Sequence, residues 1–206
     1  MRIGPGHRPV TWRPERGTRA VLLHSMPVRW LIAIIGFPIG GFIGHLVAGP
    51  AATVPAAVVS GGIAGTVIGL GQGLALDLRS RTLLAWTAAT ATGLGLGLAA
   101  VTFVTGQIAT LPEAVALGAI AGLMLGAGQA AVLQRLGVGI GWTWAVAGAV
   151  AWAAGWFVTT TMGVVLSSGW PVYGLSGALV SQAITGVAIW RLMASGPRRV
   201  RAATPA

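Results

Sequence analysis

Cysteine and lysine are both absent from this 206-residue chain, and only three acidic residues occur, Glu15, Asp77 and Glu113. Without cysteine there are no disulfides, thiolate metal ligands, thiol nucleophiles or iron–sulfur clusters. Charged residues make up 8% of the chain, against about 25% in an ordinary soluble domain. The mean hydropathy of +0.82 completes the picture of a protein whose solvent is lipid.

Four stretches carry no charge at all: 30–76, 82–112, 114–134 and 136–190. No Asp, Glu or Arg therefore lies at hydrocarbon depth, which argues against ion-coupled carriers, proton relays and voltage sensors. A span needs about 20 apolar residues, so the first and last stretches each hold two helices. Turn signals divide them: Gly49-Pro50 with Pro55, and Ser167-Ser168-Gly169-Trp170-Pro171. The predicted spans are 30–48, 54–76, 82–105, 112–134, 142–165 and 171–193. Thr110-Leu111-Pro112-Glu113 predicts an N-cap, a first-turn proline and a capping box at the fourth.

All 13 basic residues are arginines, and in a six-span arrangement every one falls on the same side. Six precede the first span, Arg79 and Arg81 follow the second, Arg135 follows the fourth, and the remaining four close the sixth. The positive-inside rule makes that side cytoplasmic, in a bacterial-type plasma membrane with both termini inside. A net charge of +10 invites a nucleic-acid reading. The arginines instead sit at helix ends and in the tails with no recognition element, so anionic lipid headgroups are the expected partner.

Three residue types recur at an interval of 56: Trp30, Trp86 and Trp142; Gly62, Gly118 and Gly174; Arg79, Arg135 and Arg191. Between residues 61–76 and 118–133 a shift of 57 gives eight identities in sixteen positions, including Gln72 with Gln129. The expectation is an all-α integral membrane protein. Its three tandem hairpins, about 26–81, 82–137 and 138–193, form a pseudo-threefold repeat with a common orientation. Trp30, Trp86 and Trp142, with Arg79, Arg135 and Arg191, are expected as interfacial anchors. Outside the membrane domain (28–193) lie a basic arm, 1–27, and a basic tail, 194–206. A start at Met26 would remove most of that arm.

Glycine is abundant, with 33 residues, and it is patterned. Gly61, Gly65, Gly69 and Gly73 form one four-residue series; Gly36, Gly40 and Gly44, and Gly118, Gly122 and Gly126, form others. In lipid such small-residue faces let backbones approach, predicting a glycine-zipper bundle, with oligomerisation as another use.

Polar residues within the spans are few. Gln72 and Gln129 match in register, Thr185 is their counterpart in the third unit, and Gln182 lies one turn earlier. These four would either line a path for a neutral solute or bond one helix to another. His45 lacks a second ligand, and Thr159-Thr160-Thr161 lacks a base, so neither metal nor nucleophilic chemistry is expected. Gly93-Leu94-Gly95-Leu96-Gly97 follows no strand, which removes the nucleotide-binding reading. No cofactor is expected.

Three hairpins about an axis superficially resemble mitochondrial-type carriers, whose Pro-x-acidic-x-x-basic motif is missing here. Six spans and internal termini resemble the substrate-capture subunits of energy-coupling-factor importers, in topology alone. The expected function is a non-enzymatic packing, scaffold or partner-binding membrane subunit. The alternative is a channel or importer substrate-capture subunit for an uncharged solute.

Overall fold

The computed structural model describes residues 26–106, 108, 110–138 and 141–195, and these are helical throughout apart from connections. The basic arm and tail lie outside the described residues, except for 26–27 and 194–195. Six long helices follow in order: α1 (Met26–Ala48), α2 (Val54–Ala75), α3 (Ser80–Thr105), α4 (Leu111–Arg135), α5 (Gly141–Thr161) and α6 (Leu175–Ser195).

Helices α1 to α4, and Leu175–Leu192 within α6, are long and apolar enough to cross a membrane. Helix α5 has the length without the same hydropathy, because Trp142, Trp144, Trp152 and Trp156 count as weakly polar on that scale. All four tryptophans have large apolar bodies, and no charge interrupts the helix.

Local chemistry sets the ends. Thr53 caps α2 by accepting from Ala56 N–H, with Pro55 in the first turn. At α4 the capping box forms: Thr110 Oγ1 accepts from Glu113 N–H, and Glu113 Oε2 accepts from Thr110 N–H at 2.9 Å. Helices α2 and α4 terminate alike. Leu78 N–H returns to Gly73 O at 2.9 Å, and Val138 N–H returns to Leu133 O at 3.0 Å, a Schellman closure in both. The left-handed residue that closure needs is Gly137 after α4 but Asp77 after α2, at φ 57°.

Three predicted boundaries move by four residues: the start of α1, the end of α5 and the start of α6, at Leu175 and not 171. Helix α1 begins by Met26, a turn earlier than expected, with Pro27 in its first described turn, where a missing N–H costs no intrahelical hydrogen bond. Helix α5 stops at Thr161, and Gly163, at φ 91°, turns the chain away. The connection to α6 then runs to Gly174 with one short 3-10 turn, Leu166–Ser168. It folds Val172 and Tyr173 inward, which explains why apolar sequence continues past the helix end.

Each helix packs mainly on its sequence neighbours, and α6 returns to the first half of α1, closing a ring. The glycine series lie in these contacts. A Cβ at Gly65 would stand 2.7 Å from Ala91 Cα of α3, and one at Gly126 would stand 2.9 Å from Ala145 Cα of α5. Such spacing is backbone on backbone, so dispersion acts over the whole length of each pair. The outer surface is apolar as well. Ile32, Leu46, Phe103 and Val146 are among its exposed residues.

The described arginines, Arg29, Arg79, Arg81, Arg135 and Arg191, all lie within about two turns of one end of this ring, where odd helices begin and even helices end. Glu113 sits at the other end, in the first turn of α4.

Candidate functional site: a buried glutamine–tryptophan core

In a hydrocarbon solvent an unpaired amide is costly, so each intramembrane glutamine must find partners within the protein. They find one another. Gln72 Nε2 donates to Gln182 Oε1 at 2.9 Å, and Gln129 Nε2 donates to Gln72 Oε1 at 3.1 Å and to Thr90 Oγ1 at 2.9 Å. Gln129 Oε1 accepts from the Trp144 indole N–H at 3.0 Å. Gln182 Nε2 donates to the Trp30 carbonyl at 2.8 Å. The Trp30 indole N–H donates to Thr185 Oγ1 at 3.2 Å, which in turn donates to Ser181 O at 2.7 Å.

One hydrogen-bonded chain therefore touches all six helices: Trp30 on α1, Gln72 on α2, Thr90 on α3, Gln129 on α4, Trp144 on α5, and Gln182 with Thr185 on α6. Its side chains are all buried. Both Gln129 amide hydrogens and its oxygen are engaged, and Thr90 passes its own proton to Trp86 O at 2.8 Å. The four residues singled out by sequence, Gln72, Gln129, Gln182 and Thr185, are thus brought together as interhelical contacts.

The tryptophans correct an expectation. Trp30 and Trp86 are fully buried, not at a lipid interface, and Trp142, at 78% exposure, lies outside the core. The third buried indole is Trp144, whose ring centre is 6.4 Å from those of both Trp30 and Trp86. Two physical causes act. The stretch from Gln129 to Trp144 is one residue longer than that from Gln72 to Trp86, so the interval becomes 58. Two residues along a helix also subtend about 200°, which turns Trp142 to the opposite face. The polar tips of Trp30 and Trp144 meet acceptors inside, which removes the reason for either ring to seek headgroups.

The arginine partners of those tryptophans behave differently. Arg79, Arg135 and Arg191 are exposed at the bundle end. Asp77 faces Arg79 at 3.3 Å and Arg29 at 3.9 Å, and Arg29 also donates to Leu74 O at 2.6 Å.

Beyond the tryptophan layer a second aromatic set fills the interior. Tyr173 stacks on Phe37 at 5.5 Å and meets Trp152 at 5.0 Å and Trp156 at 5.8 Å. His45 stacks on Trp170 at 4.3 Å, and Thr159 Oγ1 accepts from Gly177 N–H at 3.1 Å; both are packing roles.

Sequence reasoning missed Thr90, Trp144 and the Trp30 carbonyl as members of the network. A threonine gives little signal, because its hydroxyl can bond its own helix, as Thr66 does to Gly62 O at 2.8 Å. The core contains amides, indoles and hydroxyls but no titratable acid or base. It can hold helices together; it offers no proton donor and acceptor pair for catalysis. Set against known protein families, curated proteins and solved structures, the chain matches none of the three.

Proposed function

We propose that this chain is a six-span plasma-membrane body, built from three like-oriented hairpins, that acts as a packing, scaffold or partner-binding subunit and not as an enzyme or a conduit. The observation that carries the reading is the continuous hydrogen-bond chain through all six helices. An amide ring that served a passing solute would leave donors or acceptors turned toward a path. Here the amides of Gln72, Gln129 and Gln182 are committed to protein partners. Aromatic rings occupy the interior above and below.

Six spans rest on the alternation that returns every described arginine to one end, and on α5 having the length of its neighbours. The repeat is supported by matched contacts, since Gly61 and Gly65 meet α3 much as Gly118 and Gly122 meet α5. A glycine zipper within one chain follows from the same contacts. The positive-inside rule puts the arginine end, and both termini, in the cytoplasm against anionic headgroups. A membrane protein partner or a second copy would dock on the apolar exterior.

The test is solute flux. Purified protein in vesicles of phosphatidylethanolamine and phosphatidylglycerol should leave water, glycerol and urea permeability, read by stopped-flow light scattering, equal to that of empty vesicles. Faster shrinkage or reswelling with any of the three would overturn the proposal in favour of the channel or importer reading.

A further inference from the structure

The three connections at the end opposite the arginines converge on a cavity of about 20 Å³. Ala51 reaches it from the α1–α2 connection, Ile108 from α3–α4, and Gly169 and Trp170 from α5–α6. Trp156 and Thr102 face it from the helices. Two of the connections are tied directly, Ala51 N–H donating to Gly169 O at 2.9 Å.

Trp156 is 3% exposed, and its indole N–H has no acceptor among the described residues. The indoles of Trp30 and Trp144 are satisfied, and that of Trp86 is unpartnered too; Trp156 differs from Trp86 in lining this cavity. The cavity it lines exceeds the roughly 10–15 Å³ that one water needs, and falls far short of a metabolite. Thr102 lines the same space. Its proton goes to Ala51 O at 3.4 Å, leaving lone pairs to accept.

The geometry points to a single bound water at this junction, accepting from Trp156 Nε1 and donating to Thr102 Oγ1 and to a backbone carbonyl of the surrounding connections. The water acts as a keystone: it satisfies the buried donor and links α5 and α3 to the outer connections. It is separate from the glutamine core, and it does not depend on whether the protein conducts solutes.

The experiment is water-selective NOE and ROE spectroscopy on protein labelled with 15N-indole tryptophan in lipid nanodiscs. The Trp156 indole is assigned by its contacts to the Tyr173 ring and, where the variant folds, by loss of the peak in Trp156→Phe. A water cross-peak is expected at Trp156 and absent at Trp144, whose N–H is bonded to Gln129. In Thr102→Val the Trp156 cross-peak should vanish while the other indole shifts stay in place. No cross-peak at Trp156 in the native chain, or an equal one at Trp144, would overturn the assignment. So would a cross-peak that persists unchanged in Thr102→Val.

Discussion

Gln129→Met is the sharpest test of the core, because methionine keeps the length and roughly the volume of the side chain while removing every hydrogen bond. Three bonds are lost: the two donated to Gln72 and Thr90, and the one accepted from Trp144. Interhelical bonds in lipid average about 0.6 kcal/mol, so three account for roughly 2 kcal/mol if every former partner pairs again. The Trp144 indole is buried, and Gln129 is its one acceptor among the described residues. Leaving it unpaired adds about 1–3 kcal/mol, for a total near 3–5 kcal/mol. The assay is reversible unfolding in mixed micelles of dodecylmaltoside and rising dodecyl sulfate, followed by tryptophan fluorescence. Gln134→Met, exposed on the same helix, is the control and should change nothing measurable. In a cycle with Gln72→Met, the double variant should lose less than the sum of the singles, by at least the shared bond. A loss below about 0.5 kcal/mol for Gln129→Met, or strict additivity in the cycle, would show that the network contributes nothing beyond filling space.

The glycine contacts allow a paired test in the same assay. Gly122→Ala drives a Cβ into the Gly148 carbonyl and should cost about 1–3 kcal/mol, whereas Gly62→Ala meets open space and should stay within about 0.5 kcal/mol. Asp77 holds the left-handed conformation that Gly137 holds after α4. Its ion pairs are solvent-screened, so Asp77→Gly should be at least as stable as the native chain and Asp77→Ala about 1 kcal/mol less stable; the reverse order would refute this account. Orientation can be read without background, since the chain has no cysteine. In intact cells a membrane-impermeant maleimide should label Met162→Cys, and should reach Ser80→Cys only after permeabilisation.

The helices were largely legible because charge and turn chemistry punctuate the chain. Arg79, Arg135 and the Thr110 capping box sit at real helix ends. The middle of the α5–α6 connection was legible, since the Ser167–Pro171 turn signal lies inside it, but its length was not. Val172 and Tyr173 are as apolar as a span, and hydropathy cannot distinguish a membrane helix from a connection folded into its own bundle. Interval counting found the tryptophan spacing but not the direction in which each ring points, so Trp30 and Trp86 were expected at the interface and the buried Trp144 was missed. The glutamines were legible for a stronger reason: in hydrocarbon an amide has no solvent to fall back on. Sequence alone could not show whether Gln72 and Gln129 face each other or an open path, because that depends on how the even helices converge.

The glycine grooves and the glutamine core answer different physical demands. The series on α2 and α4 are near copies, so as steric surfaces either would accept α3 or α5 almost equally well. Three similar hairpins held by grooves alone could assemble in a wrong order at little cost. The polar core breaks that degeneracy because it is not repeated. Thr90 has no counterpart on α1 or α5 in the network, and the third unit supplies Gln182 one turn before the register-matched Thr185. A misplaced hairpin would strand at least one buried amide, at about 1–3 kcal/mol for each unmet group. That penalty applies only to wrong arrangements, since in the native one every glutamine of the core is paired. Close packing therefore supplies the attraction between helices, and the unequal placement of a few polar atoms selects which helices meet.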